Sequence, residues 1–346
     1  MGGAIAVAAL GTGGLAATGM AVQRSAAARP NQSPALRGAA PLPHAQVIAL
    51  DRAAAEGNVN ALRAAQRAVS AIDGGPIAAW LAVGDGALPS TAKRPRRLKP
   101  MPSFAGDVLD PSHSNGDLLL QITATSPHIL QEAVHRTLRA LPQWRIRWRI
   151  YGTRPEDRTQ NGRGLARNLF HFTEGYGNPG TPAGVIERAV VRADQEEPAW
   201  TVGGSYQVIR IIRLATDFWD RDTPHDQERI IGRRRDGRWL DGTPADERAV
   251  FASDPQGKIT PLDAHVRRAT PDRRHPPPLV RRGYNYHRST DDQGLIFSCF
   301  QRDLAQGFEA VQKRLQGEAM AKYTLTIGGG YFFVPPPGDS WLDALT

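Results

Sequence analysis

The hydrophobic pattern of the chain switches repeatedly between helical spacing and strict alternation. Val59, Leu62, Ala65, Val69 and Ile72 recur every three to four residues and predict a helix over about 57–72, stopped by Gly74, Gly75 and Pro76. Ile77 to Val83 and Asp117 to Ala124 read as strands. Ser126 and Pro127 fit an N-cap and a first-turn proline. The helix they open has Ile129, Leu130, Ala133, Val134, Leu138 and Leu141 as its apolar face. From Trp144 to Tyr151, aromatic and aliphatic residues alternate with arginine, which marks a half-buried strand. Residues 84–116, rich in Pro, Gly, Ser and Arg, are long for a plain connection.

The second half repeats this grammar. Phe170 and Phe172 end a strand, and 199–214 forms another, alternating most clearly from Ser205 to Arg213. Pro224 starts a short helix over 226–233. Leu295–Phe300 is an apolar strand, 305–321 a helix carrying Phe308, Val311 and Leu315, and Tyr331–Val334 a closing strand. Strands and helices in this order predict an α+β fold of two related domains, not a doubly wound parallel sheet.

Composition narrows the function classes. With 346 residues, 40% of them hydrophobic and 22% charged, the chain has enough apolar material for a sizeable core. The net charge of +9 raises the possibility of nucleic-acid binding. Yet the cations are mostly arginines set beside acids, as in Arg221-Asp222 and Glu228-Arg229. The one dense basic run, Lys93 to Lys99, is broken by proline and reads as a solvated loop, so no nucleic-acid partner is expected. The single cysteine, Cys299, lies in an apolar run and reads as a buried structural thiol.

Residues 1–22 are rich in Gly and Ala and almost uncharged, which suits the core of an export signal. We expect an export signal remnant over 1–28, of twin-arginine type with its basic n-region missing, then a disordered tether over 29–40. A membrane anchor is the alternative, disfavoured by the glycine content. Secretion, without stable membrane insertion after cleavage, is the expected localisation.

Two stretches carry candidate chemistry. In Asn168–Gly180 an apolar segment runs into Glu174, three glycines and a proline, a setting in which bare backbone lets a ligand come close. Downstream, His265 is followed by Arg267 and Arg268, and sixteen residues after His265 comes Arg281-Arg282-Gly283, which reads as a turn. Arginines there could pair with ligand carboxylates.

Five blocks in order resemble the dye-decolourising peroxidases, of the exported branch that includes the deferrochelatase/peroxidases. They are the turn at 170–179, Gly204–Arg210, Gln227–Arg233, Leu262–Arg267, and Arg281–Tyr284 with Gln301-Arg302-Asp303 beyond. The resemblance implies two ferredoxin-like domains, each an antiparallel sheet with helices, over 41–165 and 166–346. Haem b would be held mainly by the second. It implies His265 as the iron ligand, Arg281 and Glu174 as catalytic groups on the opposite side, and Gly175, Tyr176 and Gly177 as backbone passing over the haem. Thr270, Pro271 and Asp272 would line the iron-ligand side, and Arg210, with Arg213, would pair with propionates. The implied reactants are hydrogen peroxide and a bulky aromatic reducing substrate, with a homodimer as a possible assembly. A haem-handling protein with weak peroxidase activity is the alternative.

One departure stands out. The family's turn carries aspartate where this chain has Glu174, and glycine where it has His171. Glutamate can shuttle a proton as aspartate does, but its carboxylate is one methylene further from the backbone. His171, on the face opposite Glu174, is not expected to take over. Trp219, Tyr284, Tyr286 and Trp341 are candidates for electron relay, each with a core role as the plainer reading.

Overall fold

The computed structural model describes residues 33–53, 59–160, 163–247, 251–271 and 277–346. The expected export signal therefore lies outside the described residues. The first unit follows α1 (Pro34–Ala39) and contains β1 (His44–Arg52), α2 (Val59–Ser70), β2 (Ile77–Val83), β3 (Leu118–Ala124), α3 (Pro127–Arg139) and β4 (Trp144–Thr153). Its strand order, β4-β1-β3-β2, is ferredoxin-like. A small sheet of β5 (Glu156–Gln160), β6 (Arg163–Arg167) and β7 (Thr173–Glu174), then α4 (Pro182–Ala189), leads to the second unit.

The second unit repeats the plan. It holds β8 (Ser205–Leu214), α5 (Thr216–Trp219), α6 (Pro224–Ile231), α7 (His265–Ala269), β9 (Leu279–Ser289), β10 (Asp292–Gln301), α8 (Ala310–Leu315) and β11 (Thr324–Val334), with strand order β9-β10-β8-β11. The two antiparallel sheets meet edge to edge and close into a barrel. Each seam is slight: Phe333 pairs with Val83, and Thr153 with Asn285. Among the described residues no helix is long and apolar enough to cross a membrane.

Alternation sorts side chains between two apolar layers. Val47, Trp80, Leu119, Ile150, Ile209, Val280 and Phe332 fill the barrel, while Ile48, Leu62, Leu120, Leu130, Val208 and Phe308 pack between the outer faces and the covering helices. Inside the barrel runs a row of buried polar groups. Trp80 Nε1 donates to Gln207 Oε1 at 3.1 Å, and Gln207 Nε2 donates to Gln121 Oε1 at 2.7 Å and to Ser298 Oγ at 3.1 Å. Each partner satisfies a group whose burial unpaired would be costly.

Four expectations need correction. Residues 34–39 of the expected tether form α1, whose Ala35 is buried and whose Arg37 pairs with Asp73, so Arg37 and Ala35 hold this segment on the fold. Strand β1 was not expected from the sequence; its Val47 to Leu50 are buried on both faces. Arg281-Arg282-Gly283 lies within β9, paired with Ser298, Cys299 and Phe297 of β10, and is not a turn. The helix expected over 305–321 is interrupted: Gly317, at a φ of 72°, breaks it after α8, and a short 3-10 turn spans Ala319–Tyr323. The long loop 84–116 does more than connect, since Val108 and Asp110 donate to Thr326 and Ile327 of β11.

Candidate functional site

One wall of the site is the turn between β6 and α4. Asn168 organises it: its Oδ1 accepts from the N–H groups of Phe170 (3.1 Å) and Phe172 (3.0 Å), and its Nδ2 donates to Glu174 Oε1 at 3.0 Å. One side-chain amide thus folds the turn and aims the carboxylate. Phe170 and Phe172 lie in the turn itself, and Glu174 ends β7. Gly175 and Gly177 then turn the chain at φ of 117° and 85°, angles open to glycine. His171 has a φ of 69°, which explains why glycine suits the position, and its Nε2 meets Asp220 Oδ1 at 2.9 Å, away from Glu174.

The turn is tied to β9 by Asn178, whose Oδ1 accepts from the Arg281 N–H at 3.0 Å and whose Nδ2 donates to the Arg281 carbonyl at 2.6 Å. Glu174 lies against β9, because a Cβ built on Gly283 would stand 3.6 Å from its Oε2. Arg281 and Gly283, two residues apart, share a face of the strand. Carboxylate and guanidinium are therefore brought together. Arg281 Nη1 also reaches the Tyr176 carbonyl at 3.4 Å. Arg281 remains accessible to water yet sits deep among protein atoms. That desolvation draws its pKa below the ordinary arginine value, and the charge of Glu174 opposes the shift. The Tyr176 ring turns elsewhere, onto Gly237, with its hydroxyl on the Asp236 carbonyl at 3.2 Å, so only its backbone serves the site.

The second candidate element is α7, which begins at His265. Its Nδ1 lies 2.6 Å from Glu318 Oε2. A helix of five residues has little stability alone, and its neighbours hold it. At its start, Gly232 caps α6 in the left-handed conformation and packs on Ala264 and Val266. Asp254 accepts the N–H groups of Lys258, Ile259 and Thr260 and pairs with Arg267 at 3.2 Å. The Thr260 N–H bond leads the causes that lower the Asp254 pKa. At the far end, Arg314 donates to the carbonyls of Arg268 (3.2 Å) and Ala269 (3.0 Å).

The site residues expected from sequence fall into three groups. Glu174, Arg281 and the backbone of 175–177 come together, and His265 acquires an acidic partner. Thr270 caps α7, Pro271 is exposed beside it, and Asp272 lies outside the described residues. Arg210 does not serve as expected. Its guanidinium is buried and bonded to Asp107 at 2.9 and 2.5 Å and to Thr326 at 2.8 Å, between the rings of Phe104 and Phe308. The loop 84–116 delivers Asp107 and so uses up this cation. Glu318 and Asn168 were missed: one is a lone acid after Gly317, the other a polar residue before an apolar run.

The donor set fits a haem. Among the described residues no cluster of three or more His, Cys, Asp or Glu could hold a bare metal ion. His265 is a single imidazole with Nδ1 engaged, which leaves Nε2, and a porphyrin needs one such axial nitrogen from the protein because it supplies the rest itself. Comparison with known proteins agrees. Residues 46–154 match the N-terminal model of Dyp-type peroxidases and 165–339 the C-terminal model. A deferrochelatase of Escherichia coli O6:K15:H31 is 39% identical over 70% of this chain, and the match spans 60% of that relative's length. A DyP-type peroxidase from Streptomyces coelicolor superposes with a TM-score of 0.76 at 30% identity, covering 86% of this chain and 90% of that one. Ferric DtpA from Streptomyces lividans gives 0.77 at 29%, covering 87% and 90%. With both family models matched in order on a doubled ferredoxin-like barrel, the chain belongs to the Dyp-type peroxidase family of haem enzymes.

Proposed function

We propose that this protein is a haem b peroxidase that uses hydrogen peroxide to oxidise bulky aromatic donors one electron at a time. The single observation that supports the reading is that the chain holds both a Glu174–Arg281 pair and a Glu318-bound His265. Haem supplies the iron centre at which peroxide is reduced and its oxidising power held. His265 offers Nε2 to the iron, and the Glu318 carboxylate on Nδ1 fixes the tautomer and makes the imidazole a stronger donor. Glu174, aimed by Asn168, takes a proton from one peroxide oxygen and returns it to the oxygen that leaves as water. Arg281 supplies a fixed cation for the charge that develops as the O–O bond breaks. Backbone at 175–177 keeps this wall free of bulk. The chain is proposed to be exported, with the second unit carrying the haem.

The absorption spectrum tests this directly. The purified holoprotein is expected to show a Soret band that changes with one equivalent of peroxide, and His265→Ala to lose the band. Full haem retention in that variant would sink the ligand assignment. A second reading is favoured by two observations: curated relatives of this chain are deferrochelatases, and glutamate replaces the usual aspartate. On that reading free porphyrin, not bleached dye, would accumulate when haem is the only added substrate.

A further inference from the structure

Five side chains form a stacked path from the turn that carries Glu174 to the helix that begins at His265. Tyr176 starts it. It is the one residue of 175–177 with a side chain, so its ring is the means by which that backbone can be held. The ring lies on Gly237, where a Cβ would collide with it. Arg233 comes next, its Cζ 5.3 Å from the Tyr176 centroid and 3.6 Å from that of Trp239. Its Nη1 donates to the carbonyls of Gly237 (2.6 Å) and Ala245 (3.2 Å), which fixes the plane of the guanidinium. Trp239 is buried, donates through Nε1 to the Glu247 carbonyl at 3.0 Å, and meets Phe251 edge-on at 5.7 Å. Arg267 stands over the Phe251 ring at 5.0 Å. It belongs to α7, two residues after His265, and is held there by Asp254 and the Thr260 carbonyl.

Backbone contacts run beside this path. Gly232 packs on Ala264 and Val266, the residues on either side of His265. The Thr173 N–H, one residue before Glu174, donates to the Arg235 carbonyl at 3.1 Å. Segment 232–239 therefore touches both neighbours of His265 and grips the turn on both sides of Glu174. It contains none of the acid, base or ligand groups of the proposed reaction.

We propose that segment 232–239 is a spacer, in which Arg233 and Trp239 are positioning residues that set the placement of Glu174 relative to His265. Flat groups packed face-on or edge-on have few other arrangements open to them, so the path resists both shortening and shear. The turn lacks such stiffness of its own, with glycine at 175 and 177. A slip of roughly 1 Å anywhere along the path would displace the carboxylate from its working position, a change that can cost roughly 10²-fold in rate.

The kinetic side of this inference rests on the peroxidase reading, whereas amide exchange on haem-free protein does not. In hydrogen–deuterium exchange, Trp239→Leu and the milder Arg233→Gln are expected to speed exchange about tenfold at both 173–178 and 265–269. Strand β3, in the first unit, should exchange as in wild type. Arg238→Ala should leave all of these segments unchanged, because Arg238 is an exposed residue of the same segment, paired with Asp236 and off the path. On haem-loaded protein, Trp239→Leu should slow the peroxide-dependent Soret change about tenfold or more while haem affinity holds. Trp239→Phe keeps a ring under Arg233 and should recover most of that rate. Unaltered exchange at either end, or a rise spread evenly over the chain, overturns the spacer, as does one rate shared by the Leu and Phe variants. Absence of a Soret change in wild type overturns the peroxidase reading, and exchange then decides the spacer alone.

Discussion

Asp107→Ala decides whether Arg210 is a structural cation or a haem-binding one. Both side chains are about 96% shielded from water, and the guanidinium has Asp107 and Thr326 as partners between two aromatic rings. Removing the carboxylate leaves a charge buried without compensation, which costs about 3–5 kcal/mol. At roughly 2–4 °C of melting temperature per kcal/mol, the variant should melt roughly 6–20 °C lower. The double variant Asp107→Leu/Arg210→Met removes both charges at similar volume and should recover most of that loss. Thermal unfolding by circular dichroism, on haem-free and haem-loaded protein, gives both numbers. If the pair is structural, the double variant keeps its haem affinity. A fall of less than about 2 °C in Asp107→Ala, or loss of haem from the double variant, would refute the reasoning.

Other outcomes follow from the site. Glu174→Gln should slow the peroxide-dependent Soret change in stopped flow by about 10²-fold or more, and Glu174→Asp should change it far less; equal rates for Gln and wild type would remove Glu174 from proton transfer. Asn168→Ala should keep haem yet slow the same step by roughly tenfold, because the carboxylate loses its aim; an unchanged rate would make the amide merely architectural. Glu318→Gln should raise the haem reduction potential, since a neutral partner makes His265 a weaker donor, as spectroelectrochemistry would show. The Asp254 pKa is depressed in the fold, so its support of α7 is complete above the ordinary carboxylate value of 3.8 and fades as pH falls below it. Haem release followed by Soret loss should begin in that acid range, and earlier in Asp254→Asn.

How much was legible in the sequence depended on whether a residue acts locally. Alternation exposed β4, which buries one face, while β2, β3 and β8, buried on both faces along most of their length, were read from their strand-like composition, and capping residues located α3 at Ser126. Strand β1 is buried in the same way, and no pattern of alternation singled it out. Glu174, His265 and Arg281 were readable through ordered motifs. Their orienting partners were not, because Glu318 meets His265 across 53 residues of sequence and only Gly317 hints that the helix stops there. Arg210 misled for the same reason: its fate is set by Asp107, more than a hundred residues upstream, in a loop with no periodic signal.

The amide row inside the barrel has a consequence for how the molecule divides its labour. With so little backbone pairing at either seam, the alignment of the sheets falls to other ties: Gln207, whose partners Trp80 and Gln121 belong to the first unit and Ser298 to the second, the Asp107–Arg210 pair, and the bonds from Val108 and Asp110 to β11. Sliding would break buried bonds at each of them. The half of the chain that supplies none of the proposed acid, base or ligand groups thus acts as a jig, holding the working half in alignment from inside the barrel and from its own long loop.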